Sequence, residues 1–349
     1  MALLTETTEI ARKVWKIDRV VLAIVGVAVV LIALVPDQAG RSVVFTGEAL
    51  VGIMPFLIVS VLVAAFAKAT GLDKQIAIAF SGHPMRAVFL AAAFGALSPF
   101  CSCGVVPIIA GLLGAGVPLA PVMAFWLASP LMDPQMFFLM IPVFGLPFTV
   151  AKLLAAFGIG AAAGIATHMF ARQELFANPM LPGAMGCGSG CGVKSPLAAD
   201  QVVWKFWGDT DRRQAFVGEG KAIGWFLFKW LTLAFELESL MVAYIPAERI
   251  AESLGGAAWW AIPASVVLGV PAYLNGFAAI PTVSALIDMG MAPGAGLGFM
   301  VAGGVTSIPA AMAVFALVKR PVFIWYLVWG LAGSLAVAYG FQAYVMLGG

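Results

Sequence analysis

Cys101 and Cys103 are the residues of this sequence whose type and spacing most suit metalloid or metal chemistry. They flank Ser102 in a short segment that begins after Pro99 and ends at Gly104. Thiolates are soft ligands suited to Cu(I), Zn(II) and trivalent arsenic-like centres. Residues two apart on a helix point to nearly opposite sides, but in an unwound segment both sulfurs could face one cavity. The alternative is that a buried cysteine is simply a small hydrophobic side chain.

A second pair, Cys187 and Cys191, lies in the glycine-rich tract 186–192. Its spacing suits capture of one soft ion, so the pair is a candidate accessory metal site. Two cysteines fall short of a closed zinc site, and the chain has only 2 histidines. A flexible linker with incidental cysteines is the alternative. We expect no resident cofactor.

The composition predicts an integral membrane protein. Hydrophobic residues make up 62% of the 349 residues and charged residues 10%, with a mean hydropathy of +1.02, whereas soluble chains carry about 25% charged residues. Six stretches longer than the ~18 apolar residues of a membrane span contain no charge. They cover residues 49–67, 87–132, 153–171, 253–287, 289–318 and 321–349. No cleavable signal is evident, and a net charge of +2 without a basic run indicates no nucleic-acid partner.

The apolar segments are interrupted at short runs of glycine, proline and polar residues. Hydrocarbon offers backbone N–H and C=O groups no partners, so unwound backbone survives only where protein or an aqueous cavity covers it. We expect the breaks of both halves to meet near the bilayer midplane and form a polar site. The alternative, that glycine and proline merely bend packed helices, fits single prolines better than the cysteine-containing run. The candidate substrate-binding residues are Cys101, Ser102, Cys103, Ser129, Asp133, Asn275, Thr306 and Ser307.

The two halves of the sequence are related at a shift of 174 positions. The shift aligns Gly95 with Gly269, Pro107 with Pro281, and Gly116 with Gly290. Alanine and leucine coincide by chance in apolar sequence, but glycine and proline fix where helices break, so a chance origin is the weaker explanation. The fold class is therefore an all-α polytopic membrane protein with a two-fold internal repeat and broken or re-entrant helices. About seven full spans plus two hairpins are expected, and nine spans are the alternative.

Charge distribution predicts the orientation and the division of the chain. Four basic residues before residue 20 place the N-terminus in the cytoplasm by the positive-inside rule. If the broken segments re-enter as hairpins, the basic loop is also cytoplasmic and the repeats are inverted; if they cross, the repeats are parallel. The hairpin arrangement satisfies more of the charges. The expected parts are a cytoplasmic segment 1–19, a first membrane half 20–170, a polar loop 171–221 and a second membrane half 222–349.

Charged residues within the spans are candidates for ion coupling, since each costs about 2.5–3.5 kcal/mol at a helix centre on insertion scales. Glu236 is the leading proton-coupling candidate and Glu238 the second. Lys229 lies seven residues before Glu236 and could approach it along one helix face. For Lys152 and Lys229 we expect snorkelling towards an interface or a structural ion pair.

These motifs resemble a known family. The run Ser98–Pro107, the run Leu127–Pro134 and the second-half run Gly269–Pro281 are similar to signatures of the predicted-permease family that includes ArsP and YraQ. The resemblance covers most of the chain from Gly47 onward. It implies a prokaryotic inner-membrane permease. It also implies that some members export trivalent organoarsenicals and that others are linked to soft-metal efflux.

Three functional classes follow, and transport is favoured. The first is secondary-active efflux of a soft, thiol-seeking solute, either a trivalent organoarsenical or a soft metal ion. The second is a permease for a small sulfur-containing or organic metabolite. The third, a membrane enzyme or scaffold, lacks a candidate catalytic set, and no nucleotide-binding loop is present. The expected partners are a small-molecule or ion substrate and the lipid bilayer, and a homo-oligomer remains open.

Overall fold

The computed structural model describes residues 18–72, 83–98, 102–170, 176, 178–181, 203–244, 260–270 and 276–348. These residues are helical apart from connecting turns and one isolated bridge between Met180 and Val318. Twelve helices are described: α1 (Arg19–Leu34), α2 (Pro36–Thr70), α3 (Pro84–Ala96), α4 (Ser102–Gly114), α5 (Leu119–Ala128), α6 (Pro134–Phe170), α7 (Thr210–Tyr244), α8 (Ala261–Gly269), α9 (Gly276–Asp288), α10 (Pro293–Thr306), α11 (Ile308–Leu317) and α12 (Arg320–Met346).

Several described helices are long and apolar enough to cross a membrane. By length and composition these are α6, the combined segment Pro293–Leu317 and α12, and α2 makes a fourth if its 46° bend at Pro55 is counted within one span. Helices α1, α3, α4, α5 and α9 are shorter apolar helices. Runs of glycine, proline and polar residues adjoin the last four of them. The chain is therefore an all-helical polytopic membrane protein, as its composition predicts.

Helices in the two halves of the chain begin at matching positions. Three pairs of first residues are 174 positions apart: Pro36 and Thr210, Leu119 and Pro293, and Pro134 and Ile308. The kink at Gly145 inside α6 (φ 81°) corresponds to Lys319, in the gap between α11 and α12.

The turns after α4 and α9 have the same hydrogen-bond pattern. Gly116 and Gly290 both adopt a positive φ, 89° and 103°, which only glycine does without steric cost. The N–H of Val117 donates to the Leu112 carbonyl, and the N–H of Met291 donates to the Leu286 carbonyl 174 positions later. Each turn is a Schellman motif, in which a left-handed residue ends the helix and satisfies its last carbonyls.

Helices α3 and α5 run in the same direction. Val88 of α3 and Ala120 of α5 both lie against Gly164 of α6, whereas Gly95 near the end of α3 lies against Phe125 near the end of α5. Helix α4, which lies between them in the sequence, must therefore bring the chain back to the level where α3 began. Helices α3 and α4 form a hairpin whose connecting residues 99–101 lie outside the described part of the structure.

The long helices α2 and α7 pack side by side in opposite directions. The Arg212 guanidinium at the start of α7 donates to the Ala69 carbonyl near the end of α2, at 2.8 Å. Further along α7, Gly220 lies nearest Ala65, an earlier residue of α2. Helix α7 begins at Thr210, inside the segment 171–221 that the sequence assigns to a polar loop.

The second arm of α6 packs antiparallel against α12. The Trp325 indole donates to the Thr167 hydroxyl at 2.9 Å, and further along α12 Gly333 lies against Ile159. At the other end of the pair, the rings of Phe148 and Phe341 meet edge to face. The corresponding parts of the two halves thus pack against each other.

Candidate functional site

Equivalent helix ends make equivalent close contacts in the two halves. A Cβ added to Gly95 in α3 would lie 2.9 Å from the carbonyl oxygen of Phe125 in α5. A Cβ added to Gly269 in α8 would lie 2.6 Å from the carbonyl oxygen of Phe299 in α10. Real Cβ atoms do not approach backbone oxygens this closely, so glycine is required at both positions. The C-terminal ends of α3 and α5 are therefore held together, as are those of α8 and α10.

The breaks after α5 and near the end of α10 are in contact with each other. A Cβ added to Gly304 would lie 3.2 Å from the Pro130 carbonyl oxygen and 3.3 Å from the Leu131 side chain. In addition, a Cβ added to Gly303 would lie 2.9 Å from the Gly269 carbonyl oxygen. The interrupted segments of the two halves therefore converge on one region inside the protein.

Three buried serine hydroxyls mark this region. The Oγ atoms of Ser98, Ser129 and Ser307 have no hydrogen-bond partner among the residues that the structure describes. Ser98 follows α3, Ser129 follows α5 and Ser307 separates α10 from α11, so each hydroxyl lies at a helix break. A buried polar group without a partner costs free energy, and such groups in native proteins often have a functional reason.

The hydroxyl of Thr306 differs from that of its neighbour Ser307. Thr306 is 1% exposed and donates to the Ala302 carbonyl at 2.8 Å. Its proton is therefore used within its own helix, and only its oxygen could accept a bond from a solute. Of Thr306 and Ser307, only Ser307 has a hydroxyl without a hydrogen-bond partner among the described residues, so it is the better candidate to bind a solute.

Asp133 caps the helix that follows the first-half break. Its Oδ1 atom accepts a hydrogen bond from the Met136 N–H at 2.7 Å, which satisfies one of the free amides at the start of α6. Ser307 occupies the position 174 residues later, before α11, and makes no such side-chain bond to its helix. In both halves a helix thus begins at the same relative position after the break. The residue before that helix is Asp133 in the first half and Ser307 in the second.

Lys152 belongs to this region although sequence reasoning did not include it. It is 2% exposed, and its Nζ lies 3.2 Å from the Met136 sulfur and 3.9 Å from the Met140 sulfur. The expectation of snorkelling is wrong for Lys152, since it is buried, and no ion-pair partner lies within reach among the described residues. The kink at Gly145 folds the second arm of α6 back against the first. The cluster Pro142, Gly145 and Pro147 is the sequence signal that could have indicated this reversal.

Glu236 and Glu238 are both buried in α7, at 8% and 7% exposure. Within the described part of the chain, the Oε2 atom of each has no hydrogen-bond partner. The expected approach of Lys229 to Glu236 is not observed, because the Lys229 ammonium pairs with Asp18 instead. That hydrogen bond holds the pKa of Asp18, which precedes α1, below its usual value. Lys229 is therefore in a structural ion pair, one of the two roles expected for it.

The side chains of the remaining predicted residues lie outside the described part of the structure. Cys101, Asn275, Cys187 and Cys191 lie outside the described residues. The backbone of Ser102 and Cys103 forms the first turn of α4, but their side chains are outside the described part of the structure.

Comparison with known proteins gives the family. A family model, ArsP_1, described as "Predicted permease", matches residues 38–342. The chain belongs to this family of predicted permeases. The match covers both halves of the molecule and every helix break described above, so the family description applies to the whole membrane region. Because the family is described as permeases, it indicates a membrane transporter rather than an enzyme.

One relative is also similar over part of the chain. The UPF0718 protein YcgR of Bacillus subtilis (strain 168) is 32% identical over 96 residues, which cover 28% of this permease and 33% of that relative. The matched segment thus spans about a third of the relative's length. No solved structure matches the chain.

The unpartnered hydroxyls give a stability prediction. We expect Ser129→Ala and Ser307→Ala to leave the thermal midpoint of the purified permease unchanged or higher, because each removes a buried polar group that has no partner in the described part of the chain. Thr306→Val should lower the midpoint, because it removes a bonded hydroxyl worth about 0.5–1.5 kcal/mol. Thermal unfolding in detergent measures all three variants against the wild type. A fall for Ser307→Ala as large as that for Thr306→Val would mean that Ser307 has a structural partner.

Proposed function

We propose that this permease is a secondary-active transporter that exports a soft, thiol-seeking solute through the region where the broken helices converge. The contact of Gly304 with Pro130 and Leu131, beside the unpartnered hydroxyls of Ser129 and Ser307, is the observation that carries this proposal. Unwound backbone in a membrane protein persists where protein or a solute cavity covers it. Paired breaks in two related halves are typical of transporter binding sites.

We also propose that the two halves are inverted repeats. The matching helix starts and the antiparallel packing of α2 with α7 support this arrangement. With α3–α4 and α8–α9 as re-entrant hairpins, the chain makes seven full crossings. These are α1, α2, α5 with the first arm of α6, the second arm of α6, α7, α10 with α11, and α12. The proposed location is the inner membrane. By the positive-inside rule, the basic residues of the N-terminus and of the loop before α7 then lie in the cytoplasm.

The proposed solute is a trivalent organoarsenical or a soft metal ion. The support comes from the Cys-Ser-Cys run at the hairpin α3–α4, because thiolates bind such centres well. Cys187 and Cys191 remain a proposed accessory site for the same kind of ion. A small sulfur-containing metabolite is the second candidate, and the buried ammonium of Lys152 favours it.

Replacing both cysteines of the run tests the solute class. The wild type is expected to protect a sensitised host against trivalent arsenicals. We expect the double variant Cys101→Ser with Cys103→Ser to lower that resistance at least about tenfold. The change in volume is small, so expression and the thermal midpoint should be preserved. The matched control is Cys187→Ser with Cys191→Ser, for which resistance should be largely retained. Wild-type resistance in the first variant would show that Cys101 and Cys103 do not bind the solute and serve only in packing.

Coupling to protons is proposed at Glu236, with Glu238 as the second candidate. No nucleotide-binding motif is present, so uphill export needs an ion gradient. Buried carboxylates in a membrane are rare and commonly belong to ion or proton pathways. Both carboxylates are buried, with Oε2 atoms that lack a partner within the described residues, which supports a titrating role.

The change Glu236→Gln preserves shape and removes the titrating group. We expect it to abolish transport driven by a pH gradient in proteoliposomes while solute binding remains measurable. The control Glu48→Gln removes an exposed carboxylate of α2 and should leave transport unchanged. Unaltered pH-driven transport by Glu236→Gln would show that Glu236 is structural, and Glu238→Gln would then be the variant to measure.

A further inference from the structure

The charge of Lys152 has no conventional partner in the described structure. The ammonium is enclosed between the two arms of α6, where two methionine sulfurs are the neighbours within hydrogen-bonding range among the described residues. Thioethers are weak acceptors, and a buried charge is costly unless it is paired or hydrogen-bonded. Asp133 interacts with Lys152 electrostatically, but no described carboxylate lies within the 4.0 Å of an ion pair. Among the described residues, the buried amine of Lys152 thus has no carboxylate within ion-pair distance.

The position of Lys152 places it beside the helix breaks. Its neighbour Met136 is one turn from the break and donates its N–H to Asp133. The residue 174 positions later is Tyr326, which is also fully buried and donates its hydroxyl to the Val305 carbonyl, next to the second-half break. The two halves thus place a polar side chain at the same point, but only Lys152 carries a charge.

The starts of α6 and α11 supply hydrogen-bond donors at the breaks. The hydroxyls of Ser129 and Ser307 have no partner within the described part of the chain. Helices α6 and α11 both begin at the breaks, so their first amides and the positive ends of their dipoles point there. Asp133 is the acidic residue at these breaks, and its Oδ1 atom is already bonded to the Met136 amide. Together with the Lys152 ammonium, the amides at the starts of α6 and α11 and the two serine hydroxyls can donate to a negatively charged group.

We propose that Lys152 binds a negatively charged group of the transported solute, and that the site therefore takes a small, polarisable anion. The inference rests on the proposed function only in placing the solute at the helix breaks. The sulfurs of Met136 and Met140 are weak acceptors, so the ammonium stays available for a stronger acceptor, and these polarisable side chains can make favourable dispersion contacts with a polarisable anion. A sulfur oxyanion and an arsenical with an acidic substituent share this chemistry.

The test is a titration of purified permease with matched probes, followed by thermal unfolding at constant ionic strength in sodium gluconate. The probes are thiosulfate, phenylarsine oxide and its 4-carboxy derivative. The variants are Lys152→Met, which removes the charge with little change in length, Lys152→Arg, which keeps it, and Lys205→Met, which removes an exposed lysine before α7. Because replacing an unpaired buried charge by an apolar group is not expected to destabilise the protein, ligand-free Lys152→Met should unfold no earlier than the wild type.

We expect the wild type to bind at least one of the two anions, and Lys152→Met to bind it at least about tenfold more weakly, as for loss of a charge-assisted hydrogen bond. Lys152→Arg should stay within about threefold, and Lys205→Met should match the wild type. Binding of thiosulfate alone would identify a sulfur oxyanion. A preference for the carboxylated arsine oxide over the neutral one would identify an acidic arsenical.

Two results would overturn the proposal. One is a wild type that binds neither anion, and the other is equal affinity in Lys152→Met. If the neutral arsine oxide binds tightly in every variant, the soft-solute proposal survives and the role of Lys152 fails. If only thiosulfate binds, and only when Lys152 is intact, the role of Lys152 survives and the proposal of an arsenical solute fails. Should Lys152→Met not fold, Lys152→Gln and Lys152→Arg decide between these outcomes by the same comparison.

Discussion

The architecture depends on how interrupted backbone is covered inside a membrane. Each break leaves amides and carbonyls without helical partners, and hydrocarbon cannot supply any. This chain covers its breaks by packing the ends of broken helices against one another, at glycines where any larger residue would meet a carbonyl oxygen. Gly95 and Gly269 do so within each half, and Gly304 does so between the halves. The polar region follows from this packing, since helix ends that converge bring their unsatisfied groups with them.

Positions 174 residues apart share backbone features but differ in their side chains. The helix starts and the glycine turns after α4 and α9 repeat at the same spacing, yet Asp133 corresponds to Ser307 and Lys152 to Tyr326. The charges are therefore concentrated on the first-half side of the convergence region. A transporter that selects a charged solute needs such a difference only at a few positions, while the backbone that moves around the solute can remain symmetric.

Local chemistry made much of the fold predictable. The segments around Ser98 and Ser129 fall between described helices because glycine and proline act on their own backbone and need no tertiary information. Lys152 was misjudged because its surroundings depend on the reversal at Gly145, which brings Met136 and Met140 across from it. The pairing of Lys229 with Asp18 likewise joins residues 211 positions apart, which no local pattern reveals. The early start of α7 was missed since its first turns carry charges that are also typical of loops.

The central claim, that the two halves have opposite orientations around one convergence region, is tested most directly at the equivalent helix ends Gly114 and Asp288. Both residues are exposed, end α4 and α9, and are 174 positions apart. The measurement is labelling of Gly114→Cys and Asp288→Cys, each in a chain without its four native cysteines, by a membrane-impermeant maleimide in intact and opened cells. The account predicts that Asp288→Cys is labelled from outside and Gly114→Cys only after the cells are opened. Labelling of both from the same side would contradict it.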